Sequence, residues 1–130
     1  MDSTTEVTSG KPICNVSKQD VLRFCEGDPG LAREVVRIFC ERVTGYHLPE
    51  IKAALLSKDG RKLRFHLDTL NGSSGYVGAE YLRWLCGRIS KSVQEDSVPD
   101  EKWGNEIRKM VEELEAVSEK TVENLRTMEI

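Results

Sequence analysis

From Trp103 onward, large or apolar side chains return at Ile107, Met110, Leu114, Val117 and Thr121, alternately four and three residues apart. That rhythm is the seam of a helix packed nearly antiparallel against its neighbours, and Leu125 and Met128 can extend it. Leu63, Leu67 and Leu70 mark the same kind of inward stripe over about Gly60 to Gly75, and Ala79, Leu82, Cys86, Ile89 and Val93 mark another. No segment reads as a strand hairpin. The pattern therefore predicts an all-α domain, an antiparallel four-helix bundle with a short additional N-terminal helix.

The ends of these helices are written in residues with a local physical role. Ser17 can cap a short helix holding Val21, Leu22 and Cys25, which Gly27 ends. Asp28-Pro29 supplies an N-cap followed by proline at the first helical position, where a missing N–H costs nothing. The long helix that starts there is expected to turn Leu31, Val35, Ile38, Phe39 and Tyr46 to the core. Gly45 and Pro49 are expected to kink or break it before Ile51, Leu55 and Leu56 resume the pattern. Lys58-Asp59-Gly60 closes that segment, Gly75 and Gly78 bracket a turn, and Asp100 is expected to cap the last helix after the polar linker Gln94 to Pro99. Residues 1–16, rich in Ser and Thr and without apolar period, read as a flexible arm ahead of a bundle over 17–130.

Composition excludes several classes of function. The chain has 130 residues, one domain's worth, with 19 basic against 22 acidic side chains and a net charge of −3. Nothing in that balance favours nucleic acid or an anionic membrane. The longest apolar run, Ala53-Ala54-Leu55-Leu56, is far too short to span a bilayer, and no signal or lipidation motif opens the chain. A monomer in the cytoplasm is expected, with the nucleus an additional site in a eukaryote. Cys14, Cys25, Cys40 and Cys86 form no Cys-x-x-Cys pair and are not spaced with His47 and His66 as zinc requires, so neither a metal nor any cofactor is expected.

The most specific stretch is Leu67-Asp68-Thr69-Leu70-Asn71-Gly72-Ser73-Ser74-Gly75-Tyr76-Val77-Gly78-Ala79. With Asp28-Pro29-Gly30-Leu31 before a long helix, it resembles the signature of histidine-containing phosphotransfer (HPt) domains over roughly residues 17 to 125. In that family an exposed histidine is followed by any residue, then Leu, Lys, Gly, Ser and Ser, and after a short spacer Gly-Ala. The resemblance places Asp68 at the phosphoacceptor histidine and Asn71 at the lysine. It implies a bundle whose surface imidazole takes a phosphoryl group from a receiver-domain aspartate and passes it to another receiver, the receiver supplying the metal.

Asp68 changes that chemistry. A carboxylate ionised near its usual pKa of about 4 is weakly nucleophilic, and an acyl phosphate with no metal beside it is poorly stabilised. Neutral Asn71, three residues on, lacks the cation that would offset a phosphoryl charge, while Gly72 leaves open space beside position 68. His66 is the alternative acceptor, but two residues rotate a helix by about 200°, so it diverges from Asp68 and lies at the border of the leucine stripe. Phe65 projects away from that stripe, and Val36 and Val43 broaden the apolar face of the second helix. With Asp68, Asn71 and Gly72 they form a candidate docking surface, unless the kinked helices bury them. Trp84 and Tyr81 are open to the same two readings, and Glu112, Glu113, Glu115 and Glu119 read as a solvated face.

The resemblance thus implies a noncatalytic pseudo-HPt adaptor of a multistep phosphorelay, not an enzyme. Its partner is expected to be the receiver domain of a response regulator or hybrid histidine kinase, contested with active carriers. The alternatives are an active phosphocarrier using His66 and a helical scaffold outside two-component signalling.

Overall fold

A computed structural model describes residues 16–94 and 97–130, so the expected arm lies outside the described residues except for Val16, as do Cys14 and part of the linker. The described residues form helix α1 (Lys18–Phe24), α2 (Pro29–Arg42) running through a π turn (Val43–His47) into α3 (Leu48–Ser57), α4 (Gly60–Tyr76) and α5 (Glu80–Ser92). A short α6 (Asp100–Lys102) then runs through a second π turn (Trp103–Ile107) into α7 (Arg108–Arg126). Four rods result, 29–57, 60–76, 80–92 and 100–126, with α1 laid against α2 and α4.

Caps hold the rods in register. The Ser17 hydroxyl accepts from the Asp20 N–H at 3.1 Å, and the Asp28 carboxylate accepts from Gly30 and Leu31 at 2.9 and 3.1 Å. Lys58, left-handed at φ 55°, ends α3 so that Asp59 can cap α4 at once, accepting from Lys62 N–H at 3.0 Å. The α4–α5 turn depends on Gly78, whose φ is +68°. A Cβ there would stand 2.6 Å from Ser17 Cβ and 2.7 Å from Asp20 Oδ2, because the N-terminus of α1 presses on this turn through a 3.0 Å Ser17 N–H to Val77 carbonyl bond. Gly78→Ala should therefore destabilise the fold by about 2–3 kcal/mol in urea melts, and an unchanged midpoint would show that α1 yields freely.

Leu63, Leu67 and Leu70 of α4, Leu82, Cys86 and Ile89 of α5, and Ile107, Leu114 and Leu125 of the last rod are fully or nearly fully buried, as their spacing predicts. The first rod departs from expectation. Its core side is Ala32, Val36, Phe39, Cys40, Val43 and His47, whereas Leu31, Ile38 and Tyr46 are exposed and Val35 is only partly covered. The expected stripe lies one residue, about 100°, around the helix from the actual one. Leu56 is likewise exposed, and Ala54 is buried in its region instead.

The expected break at Gly45 and Pro49 is a π turn within a continuous rod. Pro49 has no N–H to give, and the extra residue is absorbed one turn earlier, where the Leu48 N–H reaches back five residues to the Val43 carbonyl. Proline thereby occupies the opening turn of α3, where its missing donor does not matter. Asp100 is the first helical residue, with Pro99 at the capping position.

Candidate functional site

Helix α4 carries its leucines inward, and this fixes what it shows outside. Asp68 is exposed on the side facing α5, where the Ser90 hydroxyl donates to Asp68 Oδ1 at 2.9 Å. One turn further, Asn71 Nδ2 donates to the Arg83 carbonyl of α5 at 3.0 Å, so its amide is engaged by backbone rather than free to meet a ligand. Gly87 faces it, and a Cβ there would be 3.7 Å from that amide nitrogen. Gly72 is exposed with nothing within 4 Å of where its Cβ would stand. Beneath this surface, burial pushes the Cys86 thiol far up and the Asp68 charge adds to the effect, which keeps that thiol protonated and inert.

On the other flank of α4, an open groove of about 270 Å³ runs between α1, α2 and α4, lined among others by Phe24, Val35, Ile38, Arg42, Thr69 and Tyr76. Phe24 and Tyr76 stack at its end, ring centroids 4.1 Å apart at 19°. Thr69 adjoins Asp68, so the groove begins beside the signature residue. Phe65, 59% exposed, extends the apolar surface by one turn of α4. Ile38 lines this groove with Phe24 and Tyr76, Leu31 adjoins Phe24 beyond it, and Tyr46 and Phe65 both stand against His66. Val36 and Val43, expected on a docking surface, do not form it: they are 7% and 1% exposed, because the rod turns that side into the core. Val43 contributes only to the groove's lining. Trp84 is half-buried on α5 with Arg88 stacked 4.9 Å over its ring.

His66 lies deeper than the border expected of it, 4% exposed, and meets a partner the sequence reading overlooked. His47, 3% exposed, approaches it Nδ1 to Nδ1 at 3.2 Å. Burial, then the neighbouring His66 and Arg42, push His47 down to about 4. Burial and Lys62 lower His66 as well, against an opposing pull from Glu50. Both rings are neutral at neutral pH. His47 stands four residues from both Val43 and Ile51, a spacing that places it on the buried side of the rod. Among the described residues no three or more His, Cys, Asp or Glu side chains gather as a metal site, and no helix is long and apolar enough to cross a membrane.

A groove beside an exposed residue of the second long rod's signature turn is a local likeness, and comparison with known proteins tests it over the whole domain. The profile of the Hpt domain family matches residues 34–117. The chain belongs to the Hpt domain family. Over 98 residues this Hpt domain is 31% identical to the phosphorelay intermediate protein rdeA of Dictyostelium discoideum, covering 74% of the chain and 38% of that relative. It thus spans well under half of rdeA's length. The crystal structure of the HPT domain from a sensor hybrid histidine kinase of Shewanella superposes with a TM-score of 0.65 over 90% of this chain and 98% of that one. At 19% identity the superposition speaks for the fold, a helical Hpt bundle.

Proposed function

We propose that this Hpt domain is a phosphorelay adaptor that docks receiver domains without accepting their phosphate. One observation carries the reading: at the position where the family signature places its histidine stands Asp68, exposed but tied by Ser90 to α5. A phosphoryl acceptor on a bundle needs a nucleophile aligned with the phosphorus and charge compensation nearby. Asp68 offers a weakly nucleophilic carboxylate with one oxygen already hydrogen-bonded, and Asn71 offers a neutral amide committed to the Arg83 carbonyl. The relative named a phosphorelay intermediate supports the pathway, and the apolar groove with Phe65 supports the docking. Competition follows: while this chain occupies a receiver surface, active carriers cannot, and the inhibition scales with its concentration. His66 is a poor substitute acceptor, being buried and paired with His47.

The deciding measurement is incubation with a receiver charged with labelled phosphate. No stable label should appear on the chain, and stoichiometric labelling at Asp68 or His66 would overturn the reading. Binding to the same receiver should persist. It should weaken about tenfold in Phe65→Ala, which removes an exposed aromatic anchor, and in Gly72→Glu, which fills the open space beside Asp68 with a like charge. Unchanged affinity in both variants would remove this face from the interface.

A further inference from the structure

Two buried imidazoles have no part in that docking scheme, yet the geometry ties them to it. His47 closes the π turn and His66 meets it from α4 at 3.2 Å between Nδ1 atoms. One proton shared between those nitrogens makes a hydrogen bond, whereas a proton on each sets two donors face to face with no acceptor. The rings around the pair are those of the exposed face. Tyr46 stands 4.9 Å from His47 and 5.1 Å, edge-on, from His66, and Arg42 lies 4.5 Å over the Tyr46 ring. Phe65 stands edge-on to His66 at 5.1 Å. His47 itself contributes to the groove wall.

We infer that the His47–His66 pair is the positioning element of the docking face: a single proton shared between the Nδ1 atoms fastens the π turn to α4 and so sets Tyr46 and Phe65, and charging both rings, which puts a proton on each Nδ1, releases both. The inference rests on the reading of this face as the receiver-binding surface. The charged groups facing the pair are Arg42 at the end of α2, Lys62 on α4 and Glu50 on α3. Two cations oppose the second proton. Glu50 favours it only in part, since its carboxylate is held by Lys62 at 2.9 Å. The fastening is therefore closed throughout the neutral range and opens in acid.

The test uses the full chain and two variants. His66→Gln keeps a hydrogen-bonding group that does not titrate, and His66→Leu removes it at similar size. In the wild type, NMR signals of the Tyr46 and Phe65 rings should shift on acidification with the same midpoint as the imidazole nitrogens, before far-UV circular dichroism reports unfolding. In His66→Gln that shared movement should vanish. At neutral pH, calorimetric titration with each receiver domain encoded in the source genome should show His66→Leu binding about tenfold more weakly and His66→Gln within about threefold of wild type. Ring signals that do not follow the imidazoles, or that follow them unchanged in His66→Gln, overturn the inference, as does wild-type affinity in His66→Leu. Coupled ring signals in a chain that binds no receiver would instead overturn the docking reading alone.

Discussion

Phosphate acceptance should appear in the double variant Asp68→His/Asn71→Lys under conditions in which the wild-type chain takes up none. The first change installs an imidazole nitrogen at an exposed position of α4, and the second places a cation one turn away, where an i, i+3 neighbour can reach the incoming oxyanions. The existing surroundings assist. The Ser90 hydroxyl, which now donates to Asp68 at 2.9 Å, can turn to accept the N–H of one ring nitrogen of the new histidine, which leaves the lone pair of the other as nucleophile. The open space over Gly72 leaves room for an approaching receiver. The loss of the Asn71 bond to the Arg83 carbonyl costs about 1 kcal/mol at a half-buried site, so the variant should fold, as melting and circular dichroism will report. Label from a charged receiver should rise from background to an acid-labile, histidine-linked fraction. A folded double variant that binds the receiver and stays unlabelled would mean that the docking geometry, and not these two side chains, had lost the in-line alignment.

The parts of this molecule that the sequence declares are those governed by one residue's local chemistry. Asp28-Pro29 and Lys58-Asp59-Gly60 act where they stand, the first through capping and a fixed φ, the second through a left-handed residue followed directly by a cap. The leucines of α4 have no competing apolar face as strong as their own, so their stripe points inward without ambiguity. Helix α2 does have a competitor. Leu31, Val35, Ile38 and Tyr46 make a stripe of larger side chains than Ala32, Val36, Cys40 and Val43, and size alone selects the wrong one. The smaller set is buried because close helix packing favours it, while the larger set is left over for the groove. Val36 and Val43 fall on that smaller, buried set, so of the two expectations for them burial holds. The π turn hid for a different reason: a proline in a periodic run suggests a break, and only tertiary packing decides that one extra residue in the preceding turn can absorb it. The His47–His66 contact joins residues 19 apart across two rods, and no local pattern encodes such a meeting.

Acid should destabilise this domain well before its surface carboxylates are all protonated, and the histidine pair should be the cause. In the unfolded chain His47 titrates near 6.5, whereas burial, with His66 and Arg42 nearby, pushes it down to about 4 in the folded state. Between those two values the unfolded state binds the extra proton and the folded state does not, so stability falls as pH falls through that window. Above the upper value neither state is protonated there and the effect is absent; below the lower one the penalty is complete. A displacement of that size corresponds to about 3 kcal/mol, a large share of a domain's total stability. His66, also lowered, acts in the same direction. The exposed ion pairs, Lys62–Glu50 and Arg37–Glu34 among them, are too well solvated to produce a comparable loss over this range. Urea unfolding of the wild type at successive pH values should therefore show a decline between about 6.5 and about 4 that His47→Gln/His66→Gln lacks, the two difference curves separating by about 3 kcal/mol at the acid end. Parallel curves would mean that the pair reaches water readily and that its burial exerts no electrostatic hold on the fold. A separation confined to the expected window would make His47 and His66 the groups through which acidity acts on the same rods that carry the proposed docking face.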